Sequence, residues 1–389
     1  MPAPQKHAAF AVTAPGLAPL AADELRALHI VPTAVEPGGV AFEATPEKLW
    51  TANLWLRTAS RVVVRVAHFR VTAFHELERF ARAVAWERFV DATRPIALRV
   101  TCRKSRLYHS DAVAERVGAA IARRVGSAGG WAAARDDDQD ERDDDGEAAA
   151  QLFTVRIVHD VCTVSVDASG TLLHRRGYRE ALARAPLRET LAAALLLASR
   201  WDGRAPLLDP MCGSGTIPIE GALLARRIAP GRRRRFAFMD WPDFDAARWQ
   251  ALLDRADADA LPAAPGPILA SDRDAGAVRA TQENAERAGV AADLQIARRP
   301  LSAIEPPDGR GWVVTNPPYG KRVGEGDALG PLYAAFGDVL RARAPGWSVL
   351  MLSADPRLER RTGLSWREAL HTANGGIPVR ALAADVPNA

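Results

Sequence analysis

Leu207-Leu-Asp-Pro-Met-Cys-Gly-Ser-Gly-Thr-Ile217 decides how this chain is read. Two leucines before Asp209 and Pro210 mark the end of a buried strand. Gly213 and Gly215 let the backbone turn sharply toward a helix that Thr216 is placed to cap. Further along, Thr315-Asn-Pro-Pro-Tyr-Gly320 reads as the end of a second strand, offering an amide, two rigid prolines and an aromatic ring. Two such loops at the carboxyl edge of one parallel sheet can hold a nucleotide-like ligand beside a planar target.

The flanking sequence alternates strand and helix, as a parallel sheet requires. Strands are expected at 268–270 (running out to Ser271 and Asp272), 294–296, 311–315 and 347–352, with helices at 275–288 and 328–343. Residues 369–382 read as two strands around Asn374-Gly375, a strong hairpin signal. The expected fold is a Rossmann-like α/β domain whose seven-stranded sheet ends in an antiparallel hairpin. Before it, strands at 8–12, 40–42 and 61–66 interleave with a helix at 18–28 and another opened by Thr45-Pro46. This makes a small α+β unit without a catalytic cluster. A helix at 74–90, a strand at 96–101, a helix from Ser110-Asp111 and strands at 152–158 and 162–166 follow. Three domains are expected: 1–67, 68–170 and 171–389.

Charge separates these regions. Residues 1–135 carry +8 and residues 148–389 carry +4, whereas the run DDDQDERDDDGE at 136–147 carries −8. That run cannot bury apolar area and is expected as a solvated loop. The remaining basic surface suits a polyanionic partner. Arg103, Lys104, Arg106 and Tyr108 cluster between a strand and a helix start, where backbone N–H groups and cations meet phosphate and a ring can stack on a base. Arg175 and Arg176, in His174-Arg-Arg-Gly-Tyr-Arg179, form a second basic stretch. Arg232-Arg-Arg-Arg235 fits either an RNA grip or a helix C-terminus. Three scattered cysteines exclude a disulfide scaffold or a cysteine-rich zinc site and point to a reducing compartment. No metal, membrane span or signal peptide is expected, which leaves a cytoplasmic monomer or weak oligomer.

The glycine loop is neither GxxxxGK[ST] nor GxGxxG, so a pyrophosphate fits poorly and a sulfonium nucleoside with an amino-acid tail fits well. Asp209 is placed to accept from an ammonium or a nearby hydroxyl, and Asp272 to take both hydroxyls of a ribose, with Asp274 as competitor. Cys212 has no histidine nearby in sequence and reads as a loop-filling residue, not a nucleophile. Asn316 and the Pro317 carbonyl can both accept from one target amine, with Pro318 stiffening the loop and Tyr319 stacking on the base.

Asp209-Pro-Met-Cys-Gly-Ser-Gly-Thr216 with Asn316-Pro-Pro-Tyr-Gly320 resembles the S-adenosylmethionine-dependent class I methyltransferases that modify exocyclic amines. Nearly the whole chain is similar to the THUMP-containing RNA guanine-N2 methyltransferases, which include bacterial large-subunit ribosomal RNA enzymes. The resemblance implies a ferredoxin-like domain, a THUMP domain and a catalytic domain. It implies S-adenosylmethionine as cofactor, held by Asp209, Pro210, Cys212, Gly213, Ser214, Gly215, Thr216 and Asp272. It implies Asn316 to Tyr319 as catalytic and structured RNA as partner. Where many relatives place an acidic adenine contact, this chain has Arg298-Arg-Pro300. Transfer RNA is the alternative substrate. DNA adenine, a protein glutamine amide, or RNA binding without catalysis follow behind.

Overall fold

The computed structural model describes residues 6–126, 130–134, 150–179, 187–319 and 326–388. The acidic run, Ala185-Pro186 and Gly320 lie outside these residues. Two compact units emerge. One comprises residues 1–12, 22–173 and 234–252, the other 13–21, 174–233 and 253–389.

The first unit is built on one eight-stranded sheet. In chain order its elements are β1 His7–Thr13, α1 Ala18–Ala27, β2 Pro32–Glu36, β3 Gly39–Ala44, α2 Pro46–Trp55 and β4 Ala59–Arg70. Then come α3 Phe74–Ala83, β5 Ile96–Arg103, α4 Ser110–Val125, β6 Trp131–Ala134, β7 Gln151–Val158 and β8 Val161–Asp167. The strand order is β2-β3-β1-β4-β8-β7-β5-β6, so the two expected N-terminal units share a sheet that runs through β4. Thr45 caps α2 as expected, its hydroxyl accepting from Lys48 N–H at 3.3 Å with Pro46 in the first turn. Residues from 234–252 complete this unit. Phe236 and Phe238 stack at 5.3 Å, Phe238 stacks on Trp50 at 5.8 Å, and Trp249 meets the group edge-on.

The second unit carries α5 Glu189–Ser199, β9 Leu207–Asp209, α6 Thr216–Ala225, α7 Ala246–Ala258 (which straddles both units), β10 Ile268–Asp272 and α8 Ala275–Ala288. It continues with β11 Leu294–Arg298, β12 Trp312–Thr315, α9 Gly326–Arg343, β13 Ser348–Ser353, α10 Pro356–Arg361, β14 Arg367–Asn374 and β15 Ile377–Asp385. The seven strands run β11-β10-β9-β12-β13-β15-β14, parallel except for the closing hairpin.

Alternation along the strands builds two cores. Leu207, Val314 and Leu350 join residues of α5, α6 and α8 on one face, while Leu208, Val313, Val349 and Met351 join Tyr333, Phe336 and Leu340 of α9 on the other. Full burial of such a side chain contributes roughly 1.5–3 kcal/mol, so a one-residue slip that swapped the faces is strongly disfavoured. From β9 the order steps one way through β10 and β11, and the other way through β12 and β13. The carboxyl ends of β9 and β12 therefore flank the switch point, where open α/β sheets bind ligands.

Candidate active site

β9 delivers Asp209 to this switch point and buries it to 2% exposure. Its Oδ1 accepts from Met211 N–H at 3.2 Å and from the Thr315 hydroxyl at 2.7 Å. Burial, with the Asp272 charge adding to it, raises its pKa to about 7 despite those two bonds. Gly213 and Gly215 turn the chain through φ +56° and +83°. A Cβ on Gly215 would stand 2.6 Å from Thr281 Cγ2, so the loop needs glycine for contact as well as conformation.

Thr216 does not cap α6. Gly215 occupies the cap position without a side-chain bond and Thr216 is the first helical residue, because the left-handed turn at Gly215 finishes the loop one residue earlier than the threonine suggested. Pro210, Cys212, Ser214 and Thr216 are buried, and Gly213 is partly exposed. Burial and the Asp209 charge push the Cys212 thiol far above its ordinary range, and its sulfur lies 3.6 Å from the Thr281 hydroxyl. A protonated thiol filling the loop is no nucleophile.

The two candidate ribose carboxylates separate. Asp274 caps α8, accepting from Gly276 N–H at 2.6 Å. Asp272 ends β10 and accepts from Gly213 N–H at 3.1 Å and Asp274 N–H at 3.0 Å, tying the glycine loop to the next strand. Sequence reading missed α8's other contribution. The Thr281 hydroxyl donates to the Gly213 carbonyl at 2.9 Å and the Asn284 amide to the Ser214 carbonyl at 3.0 Å. The signal was present as two polar residues three apart on a face that otherwise packs alanine.

β12 ends at Thr315, and Asn316 follows directly. Asn316 Oδ1 is buried and has no hydrogen-bond partner among the described residues. An unmade bond at a buried acceptor costs about 1–3 kcal/mol. Pro317 is buried, Pro318 exposed and Tyr319 half-buried. The Pro318 carbonyl accepts from the Tyr333 hydroxyl at 3.2 Å, and the Tyr319 hydroxyl accepts from the Asn374 amide at 2.6 Å. Neither Tyr333 nor Asn374 was signalled by the motif.

The expected RNA contacts divide. Arg103, Lys104 and Arg106 are exposed and Tyr108 is 68% exposed, its ring against His109 at 4.0 Å. Their loop is fastened to the turn between β7 and β8. Arg106 N–H donates to Asp160 Oδ1 at 2.7 Å, and Asp160 N–H donates to Ser105 Oγ at 3.0 Å. Arg175 is half-buried. Arg176 departs from expectation: it is 4% exposed and ion-paired with the fully buried Glu220 at 3.4 Å, so its charge is spent inside the fold. Arg232 pairs with Asp257 and Arg235 with Asp240. Arg233 donates to the Arg287 carbonyl in the last turn of α8, and Arg234 to the Leu172 carbonyl. Within this run Arg232 and Arg235 thus pair with carboxylates, Arg233 serves a helix C-terminus and Arg234 a loop carbonyl.

A family profile described as the RMKL-like methyltransferase domain matches residues 176–382, the ferredoxin-like domain of RlmL matches 8–63, and the THUMP domain matches 71–167. The chain belongs to the RMKL-like methyltransferase family. A Synechocystis protein provisionally named an RNA methyltransferase is 35% identical over 370 residues, covering 95% of this chain and 94% of that one. The ribosomal RNA large subunit methyltransferase K/L of Syntrophotalea carbinolica is 36% identical over 401 residues, covering 99% of this chain and 54% of that protein. The chain spans about half the length of its K/L relatives. Among solved structures, SMU.472, described as a methyltransferase complexed with SAH, superposes with a TM-score of 0.86 at 27% identity over 99% of both chains. A Listeria monocytogenes protein described as a predicted N6-adenine-specific DNA methylase does so at 0.85 and 31%, covering 98% of this chain and 97% of that one. This RMKL-like chain is a methyltransferase with ferredoxin-like and THUMP domains before a class I catalytic fold.

Proposed function

We propose that this chain transfers a methyl group from S-adenosylmethionine to the exocyclic N2 of a guanine in RNA, with large-subunit ribosomal RNA as substrate. The observation that carries the reading is the buried Asn316 Oδ1 just after β12, one strand from the glycine loop and without a hydrogen-bond partner among the described residues. The donor set fits the cofactor. Asp209 offers a carboxylate for an ammonium and Asp272 one for ribose hydroxyls, while Gly213 and Gly215 leave the loop backbone open to close approach. Pro210, Cys212, Ser214 and Thr216 shape the same loop.

When bound, S-adenosylmethionine supplies an electrophilic methyl on a sulfonium. The chain's own residues do the rest by positioning. Asn316 Oδ1 and the Pro317 carbonyl each accept a hydrogen bond from the amine, which draws the nitrogen out of conjugation and exposes its lone pair. The methylated nitrogen then gives up one proton to solvent. Pro318 stiffens the loop and Tyr319 stacks on the base. The exposed Arg103, Lys104, Arg106 and Tyr108 favour RNA over a peptide or an isolated nucleobase. The ferredoxin-like (1–67) and THUMP (68–170) segments would deliver that RNA to a catalytic segment at 171–389, an arrangement the profile spans support.

Nucleoside mass spectrometry of ribosomal and transfer RNA from a deletion strain tests the reading. Loss of N2-methylguanosine from large-subunit RNA is expected. Loss from transfer RNA alone would move the substrate there, and loss of a methylated DNA base alone would overturn the RNA assignment.

A further inference from the structure

The loop that presents Asn316 is gripped at successive residues by side chains from outside its motif. Tyr333 of α9, 1% exposed, holds the Pro318 carbonyl at 3.2 Å. Asn374, the last residue of β14, holds the Tyr319 hydroxyl at 2.6 Å. Prolines fix φ but leave ψ after Pro318 and the side-chain torsions of Tyr319 open. The Tyr333 bond closes the first freedom and the Asn374 bond the second. The Tyr319 side chain packs against the core that α5 and α6 help to form, and Asn374 holds its hydroxyl. Gly375 and Gly376, at φ +55° and +73°, make the two-residue turn that brings Asn374 to this place.

Resting on the methyl-transfer reading, we infer that Asn374 and Tyr333 are positioning residues. They hold the Tyr319 ring and the Pro318 peptide in register with the Asn316 acceptor, so that the target base arrives on a preset surface. A ring free to turn would let the amine drift from Asn316. Misplacement near 1 Å can cost about a hundredfold in rate. The C-terminal hairpin then belongs to the substrate side of the site and is more than a sheet edge.

The test uses the full chain, methyl-labelled S-adenosylmethionine and ribosomal RNA from the deletion strain, with wild type, Tyr319→Phe, Asn374→Leu, Asn374→Asp, Tyr333→Phe and the Tyr319→Phe/Asn374→Leu double variant. Asn374→Leu, Tyr319→Phe and Tyr333→Phe should each lower kcat at least about tenfold without changing KM for cofactor or affinity for S-adenosylhomocysteine. Asn374→Asp, which still reaches the hydroxyl, should recover part of the loss. The double variant should be no worse than either single, because both remove one bond. Multiplicative losses in the double variant, or an unchanged kcat in Asn374→Leu, would overturn the inference. Hydrogen exchange over residues 312–319 separates this result from the substrate question. If wild type methylates no RNA, the functional reading fails on its own. Faster exchange in Asn374→Leu would still support the anchoring, and unchanged exchange would refute it.

Discussion

The Thr315 hydroxyl donates to Asp209 Oδ1 at 2.7 Å, joining the last residues of two neighbouring parallel strands. The glycine loop and the Asn316 loop are thereby set against one another by a single buried bond. Replacing Thr315 with valine keeps the shape and leaves the buried Asp209 Oδ1 with the Met211 N–H alone, at a cost of about 1–3 kcal/mol. Denaturant unfolding should show that loss, together with weaker binding of S-adenosylhomocysteine.

Asp209 gives the ligand-free protein a pH signature. The folded chain keeps this proton to about pH 7, whereas the unfolded chain releases it near the ordinary value of 3.8. Between those values the folded state binds more protons, so the contribution of Asp209 to stability falls as pH rises through the window. Across pH 4 to 8 the melting temperature of wild type should fall relative to that of Asp209→Asn as pH rises. Parallel profiles would show that Asp209 is ionised throughout.

Asn316→Ala removes the amide acceptor and leaves the glycine loop untouched. Loss of one preorganised hydrogen-bonding group of this kind costs about 10²–10³ in turnover. Single-turnover methyl transfer should fall by that factor while calorimetric binding of S-adenosylhomocysteine stays unchanged. Retained turnover would remove Asn316 from the chemistry.

Gly215→Ala meets both a φ of +83° and the Thr281 methyl at 2.6 Å. Destabilisation by more than about 1 kcal/mol is expected, with reduced cofactor affinity. Adding Thr281→Ser takes away the obstructing methyl and should restore part of the stability, leaving the backbone strain. No recovery would mean that the φ angle alone sets the cost.

The arginines divide by experiment as they do in space. Arg103→Ala with Lys104→Ala should reduce the slope of log K against log salt for RNA by about 2 and leave stability alone. Arg176→Ala should do the reverse, leaving Glu220 buried without its cation at a cost of about 3–5 kcal/mol. An altered salt slope in Arg176→Ala would reopen its assignment.

What the sequence made legible was local. Thr45-Pro46 announces its helix because cap and first turn are adjacent in the chain. The strands that end at Asp209, Asp272 and Thr315 announce themselves by short apolar runs broken by glycine or proline. β2 went unread because most of its residues are exposed and it shows no alternation. Asn374 was placed in the hairpin turn, whereas the turn is Gly375-Gly376 and Asn374 completes β14. Its true service, to a tyrosine 55 residues away, has no local signature. Arg176 misled for a related reason. A run of arginines looks solvated until the fold supplies a carboxylate such as Glu220, 44 positions on.

The return of residues 234–252 to the first unit bears on how the polypeptide matures on the ribosome. Phe238 and Trp249, which meet the Trp50 ring, and Phe236, which stacks on Phe238, reach the exit tunnel long after Trp50. The N-terminal unit therefore cannot close its aromatic seam until translation has passed residue 252 of 389. Domains commonly fold in order as they emerge. Here the first to emerge must wait until residues 174–233 of the second have been written, and a nascent chain stalled between 173 and 234 would display an open apolar surface to chaperones.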